Sequence, residues 1–188
     1  MQMFASVAKG FKEIRAEEKA TVGIRCERAV ELTQNHKTSV YWCNRNEESD
    51  LLNELDSDAV EIRGSMSIDK KEDILLSFSK GDIDRLITKA SMTSFGLNWQ
   101  HCNHTVYFPT YSYEQYYQAI RRFWRFGQTK PVTVDLVLSD GQTSVMQSLK
   151  KKTDKAIQLY QKLTDSVNKD FEYNYKEFNK TVELPNFI

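Results

Sequence analysis

The chain has 188 residues, of which 40% are hydrophobic, 12% aromatic and 28% charged. That length suits one domain with a core that needs no disulfide staples, and only 7 Gly and 3 Pro exclude collagen-like and low-complexity chains. The 26 Lys and Arg balance the 26 Asp and Glu, so no global charge advertises a polyanion partner, although a neutral total can hide a local basic patch.

No apolar run approaches the ~20 residues of a membrane helix. The first residues lack the basic-then-apolar layout of a secretory signal. Cys26, Cys43 and Cys102 are an odd, widely spaced set that suits a reducing cytoplasm rather than a disulfide framework. His101-Cys102-Asn103-His104 fits no zinc spacing and reads as a strand entrance.

In chain order, residues 10–34 read as a polar helix with a broken apolar stripe of Phe11, Ile14, Val22 and Ile24. Ser39 to Cys43 is a short β-type run, and Asn46 can cap a helix carrying Leu51, Leu52 and Leu55. Ala59 to Ile62 is a second strand. Ser67 caps a helix with Ile68, Ile74, Leu75 and Phe78 on its apolar face, and Gly81 stops it. Asp84 to Thr88 and Thr105 to Phe108 are further strands. Ser112 caps a helix expected to run through Arg125 until Gly127 breaks it, and Val132 to Leu138 is expected to be the longest strand. The chain then turns helical, with a last polar helix over 165–180. Alternating strands and helices from 38 to about 160 imply an α/β fold: a mostly parallel sheet with helices on both faces, and helical extensions at both ends.

The segment 113–128 is the most informative. At helical spacing, Gln118, Arg122 and Arg125 share one face, while Tyr113, Tyr116, Ile120, Phe123 and Trp124 would pack on the sheet. Residues 118–134 hold Arg121, Arg122, Arg125 and Lys130 with no acid. Guanidinium groups concentrated on one short segment suit a polyanion, either a triphosphate or a nucleic-acid backbone. A solvated basic helix face is the plainer alternative.

Gln118-Ala-Ile-Arg-Arg122-Phe-Trp-Arg125-Phe-Gly127-Gln128 resembles motif VI of superfamily-two helicases. It is closest to the form found in Swi/Snf-type translocases and related phage DEAD/DEAH-type helicases. The resemblance implies a single RecA-like domain in which Arg122 and Arg125 reach across an interdomain cleft to the γ-phosphate of ATP, with Gln118 near the phosphates and the attacking water. Leu86-Ile87-Thr88-Lys89 followed by Phe95-Gly96-Leu97-Asn98-Trp99 resembles motif V, with Ser91 to Ser94 in place of the family's glycine pair. It implies nucleotide contacts at Gly96 and Asn98 and nucleic-acid contacts at Thr88 and Lys89. Val40 to Asn44 sits in the motif IV slot and implies nucleic-acid contacts at Asn44 and Arg45.

Such motors need a first lobe whose G-x-x-x-x-G-K-[ST] loop cradles phosphates and whose Asp-Glu pair serves magnesium and water. Neither pattern occurs in this sequence. The chain is therefore expected to be a second lobe: 1–36 a helical linker, 37–142 the RecA-like lobe and 143–188 a helical extension. Its cofactor would be ATP with Mg2+, shared with a first lobe that brings the P-loop. Its partners would be DNA or RNA and that lobe, with no membrane, in a bacterial or phage-infected cytoplasm. The competing expectation is a stand-alone nucleic-acid or partner-binding module without ATPase activity. A third is an inactive remnant of a split gene.

Overall fold

A computed structural model describes residues 11–92 and 98–178. The fold is α/β and RecA-like. Five strands, β1 (Ser39–Cys43), β2 (Ala59–Glu61), β3 (Arg85–Lys89), β4 (His104–Tyr107) and β5 (Thr133–Leu136), lie in the order β2-β3-β1-β4-β5, and every neighbouring pair is parallel. The helices are α1 (Phe11–Ala20), α2 (Val22–Thr33), α3 (Asn46–Leu55), α4 (Ile68–Lys80), α5 (Tyr113–Ile120) and α6 (Thr143–Phe178). The chain divides between Leu149 and Lys150 into two compact units. The second consists, among the described residues, of the continuing helix α6, where one helix covers the stretch expected to hold a separate last helix.

Both sheet faces are buried, because successive side chains of a strand point to opposite sides. Tyr41 and Cys43 of β1, Ile87 of β3 and Val106 of β4 pack with Cys26 and Ala29 of α2 and Leu52 of α3. Val40, Trp42, Leu86 and Tyr107 face the other way, onto Leu75 and Phe78 of α4 and Ala119 of α5. The helix expected over 10–34 breaks at Thr21, whose N–H and Oγ1 both bond the Glu17 carbonyl at 3.0 and 2.7 Å. Its second half, α2, is part of the sheet's cover.

Local signals set several boundaries. Ser67 Oγ accepts the Lys70 N–H at 3.3 Å, and Gly81 ends α4 at a φ of 83° that favours glycine. Ser112 caps α5 by accepting the Gln115 N–H at 3.3 Å. Three of these local expectations fail. Asn46 is the first residue of α3 and not its cap, a position that Arg45 holds, and its side-chain oxygen accepts from Lys89 instead. β5 has four residues, not the longest run, because it follows β4 only over the register His104↔Thr133 to Tyr107↔Leu136. Ile68, placed on the apolar face of α4, is 68% exposed, since it occupies the first turn beyond the core contacts.

The three cysteines are buried free thiols, and burial pushes Cys26 and Cys43 up to about 12 and Cys102 up to about 11. They stay protonated at neutral pH and act as packing groups. The 101–104 segment is a strand entrance. His104 is fully buried, with Nδ1 at 2.8 Å from Ser39 Oγ, Nε2 at 2.9 Å from Asp135 Oδ2, and its ring stacked on His36 at 3.6 Å.

Candidate functional site

In a parallel sheet, ligands collect outside the carboxyl ends of the strands. Here β1 and β3 are paired with Cys43 opposite Lys89, so the residues that follow them emerge side by side. Lys89 Nζ donates to Asn46 Oδ1 at 2.6 Å, closing the two strand ends together. Asn44 spends its side-chain amide on the Phe108 carbonyl at 2.7 Å, tying the end of β1 to the residue after β4. Arg45 pairs with Glu47 at 3.1 Å and lies 3.7 Å from Glu18. The bond to Glu47, more than the nearby carboxylate charges, holds the Arg45 guanidinium above its ordinary value. Thr88 is buried, and its carbonyl accepts from Cys43 Sγ at 3.5 Å. A cleft of about 360 Å³ opens beside Lys89, with Asn46, Arg63, Gly64, Ser65 and Ser91 in its wall.

Glu48 sets the shape of this edge. One carboxylate oxygen accepts the backbone N–H groups of Asn44 and Arg45 at 2.9 and 3.1 Å, and the other takes the Arg25 guanidinium at 2.7 Å. Arg25 also donates to the Glu18 carbonyl at 2.7 Å and to Thr21 Oγ1 at 3.1 Å. Both members of the pair are buried, so the turn after β1 rests on a desolvated, fully engaged ion pair. Sequence reading missed it, because residues from α2 and α3 meet only once both helices lie on one face of the sheet.

The second group of candidates lies near the entrance to β4. Here the structure corrects the helical expectation. α5 ends at Ile120, and residues 121–127 form turns. A continuing helix would bond the Arg122 carbonyl to the N–H four residues on. The Trp99 N–H takes that carbonyl instead, at 3.0 Å. Gln118, Arg122 and Arg125 therefore do not share a helical face. Gln118 stays on α5, exposed, donating to Glu114 Oε1 at 3.1 Å. Phe123 is fully buried as expected, but Trp124 is 60% exposed rather than packed on the sheet. Arg121 lies over the rings of Tyr117 and Trp124, at 5.8 and 5.5 Å.

Arg122 is buried, with its guanidinium 5.3 Å from the centre of the Trp99 ring. Burial, and then the charge of Arg125, hold it below the ordinary guanidinium value. Arg125 is exposed on the same turn. Asn98 is exposed and donates to Gln100 Oε1 at 3.0 Å. Gly96 lies outside the described residues. Asn98 and the two arginines thus belong to adjoining segments, whereas Asn44, Arg45, Thr88 and Lys89 gather at the strand ends. Gln100 and Gln128 bridge the two segments of the first group. Gln128 belongs to the quoted motif, and its bonding partners could not be read from it.

These observations define an α/β lobe of RecA type with basic groups in two places. The family description of the helicase conserved C-terminal domain matches residues 24–127, more than half of the chain, and the chain belongs to that family. No curated protein sequence matches the chain. Among solved structures, the fold is similar to the C-terminal part of the Fun30 ATPase domain (17% identity, TM-score 0.59, covering 66% of this chain and 45% of that one). It is also similar to Dbp5 from S. cerevisiae, captured with Gle1 and IP6 (17%, 0.61, 70% and 37%). A third similar structure is the E. coli DEAD-box protein SrmB bound to the regulator RraA (14%, 0.59, 70% and 79%). The chain spans less than half of the Fun30 fragment it resembles. Among the described residues, no helix is long and apolar enough to cross a membrane.

Proposed function

We propose that this chain is the second lobe of an ATP-dependent DNA helicase or translocase of the Swi/Snf-like and phage-like type. The observation that supports this best is the 118–128 segment in a chain of the helicase C-terminal family: Arg122 and Arg125 sit on one turn, folded against the Asn98 segment. Arg125 acts as the finger on the γ-phosphate, Arg122 accompanies it, Gln118 lies near the attacking water, and Gly96 and Asn98 serve the nucleotide. Guanidinium and amide donors suit phosphate oxygens, and not a cation. Mg2+ would therefore be held by the phosphates and by carboxylates of the first lobe, and ATP supplies the transferring phosphoryl group when that lobe presents it. This chain's part is to place positive charge where charge develops, which stabilises the transition state.

The nucleic-acid track runs over the strand ends. Arg45 and Lys89 offer charge there, and Asn44 and Thr88 shape the backbone from which it is offered. The proposed domain division is 1–36 as the link to the first lobe, 37–142 as the lobe and 143–188 as an extension, with the second half of the link, α2, folded onto the lobe's sheet. The test mixes the chain with a P-loop lobe of the same superfamily. The chain alone should hydrolyse almost no ATP, and the mixture should hydrolyse it with stimulation by DNA. An inactive mixture, or equal rates with and without this chain, would overturn the reading.

A binding module without ATPase activity is the second reading, favoured by the strand-end cleft with Lys89 and Arg63 in its wall. It expects salt-sensitive DNA or RNA binding by the chain alone. Anisotropy titrations at low salt that detect none would remove it.

A further inference from the structure

The turn that carries the arginines is held by two side-chain amides. Gln128 Nε2 donates to the Gln100 carbonyl at 3.0 Å and to the Phe123 carbonyl at 3.2 Å, while its Oε1 accepts the Lys130 N–H at 3.0 Å. Gln100 Nε2 donates to the Phe126 carbonyl, and Gln100 Oε1 accepts from Asn98. With the Trp99 N–H on the Arg122 carbonyl, three carbonyls of the turn (122, 123 and 126) are bonded by groups from residues 99, 100 and 128. Gly127 completes the arrangement. Its φ is 97°, and a Cβ there would lie 3.2 Å from Gln100 Nε2.

A surface turn can leave its carbonyls to water. This one instead fixes two flexible glutamines, at a cost in rotamer freedom. What that ordering supplies is a backbone held in one non-helical path from Arg122 to Gln128. The competing path is local: beyond Ile120 the same carbonyls would close helical bonds, and Arg122 and Arg125 would return to the face of Gln118. We propose that Gln100 and Gln128 are positioning residues for the arginine pair, an amide clasp that joins the Asn98 segment to the arginine turn and fixes where both guanidinium groups are presented. The clasp itself stands on the bonds above; its effect on catalysis rests on the helicase-lobe reading.

Two measurements on Gln100→Ala, Gln128→Ala and Gln128→Glu test it. The glutamate keeps the shape and the acceptor for Lys130 but offers no N–H, and it sets a carboxylate oxygen against the Gln100 and Phe123 carbonyls, so it opens the clasp. In the chain alone, hydrogen exchange at the Trp99 amide should speed up about tenfold or more in each variant, beyond any change at the amides of β1 and β4 in the same sample. In the mixture with the P-loop lobe, kcat should fall by about 10²-fold, the scale of a 1 Å misplacement, while KM for ATP stays nearly constant. Unchanged Trp99 exchange in Gln128→Glu and Gln100→Ala would overturn the clasp. Faster exchange with an unchanged kcat would overturn its positioning role. If Arg125→Ala also leaves the mixture's rate intact, the helicase reading fails, and the exchange result still judges the clasp.

Discussion

At the ends of β1, β2 and β3, the basic groups have side-chain partners: Arg45 has Glu47 and Glu18, Arg63 has Glu61 and Asp50, and Lys89 has Asn46. Between residues 118 and 134 there is no carboxylate in the sequence at all. The first region is a surface of exchangeable ion pairs on a rigid edge, where a phosphate competes with acids already in place. The second is a turn whose backbone is locked by side-chain amides, with Arg121, Arg122 and Arg125 inside a span of five residues. Exposed pairs are individually weak and screened by salt, so the strand ends suit a track that is gripped and released. A fixed concentration of charge suits stabilisation of a short-lived anionic state.

That contrast can be broken most severely at Arg125. In the mixture with a P-loop lobe, Arg125→Ala should lower kcat by about 10³-fold or more, the scale of a lost arginine finger, and leave DNA affinity close to its starting value. Loss of both together, in steady-state ATPase and anisotropy titrations, would mean that the two regions are one site.

Next in size is the buried support of the strand-end edge. Glu48→Ala leaves Arg25 desolvated without its carboxylate and strands the N–H groups of Asn44 and Arg45. Urea unfolding should show a loss of about 3–5 kcal/mol. A change below about 1 kcal/mol would show that water replaces the carboxylate. Gly127→Ala forces a side chain into the left-handed region and against Gln100, which should destabilise the chain by about 1–3 kcal/mol and depress the mixture's kcat further than DNA binding.

Histidine gives a smaller, graded effect. Burial holds His104 below the ordinary histidine value of 6.5, against the opposing bond to Asp135, and burial also lowers His101. Both therefore take up protons more readily in the unfolded chain. Stability should be full above about pH 6.5 and fall as pH drops through the lower folded values. Thermal melts from pH 8 to pH 5 check this, and His104→Gln should flatten the acid side. The smallest change is Lys89→Ala, which should reduce the dependence of log DNA affinity on log salt by about one without altering kcat at saturating DNA.

Much of this molecule is readable before it folds. Ser67, Gly81 and Ser112 act where their chemistry predicts, because caps are local. The order of short apolar runs and helices already implies a parallel α/β sheet, because parallel strands need crossovers. The Gln118–Gln128 pattern carries the family resemblance. Tertiary structure decided the path of the chain between those residues. Helical spacing assumes that each carbonyl meets the N–H four residues on, yet Arg122 gives its carbonyl to Trp99 and Phe126 gives its carbonyl to Gln100. These partners arrive only when the segment before β4 docks beside α5. That exchange ends α5 at Ile120, turns Trp124 outward and buries Arg122. The Arg25–Glu48 pair has the same origin: two ordinary charges far apart in sequence, made into a buried support by the packing of α2 and α3 on one face of the sheet.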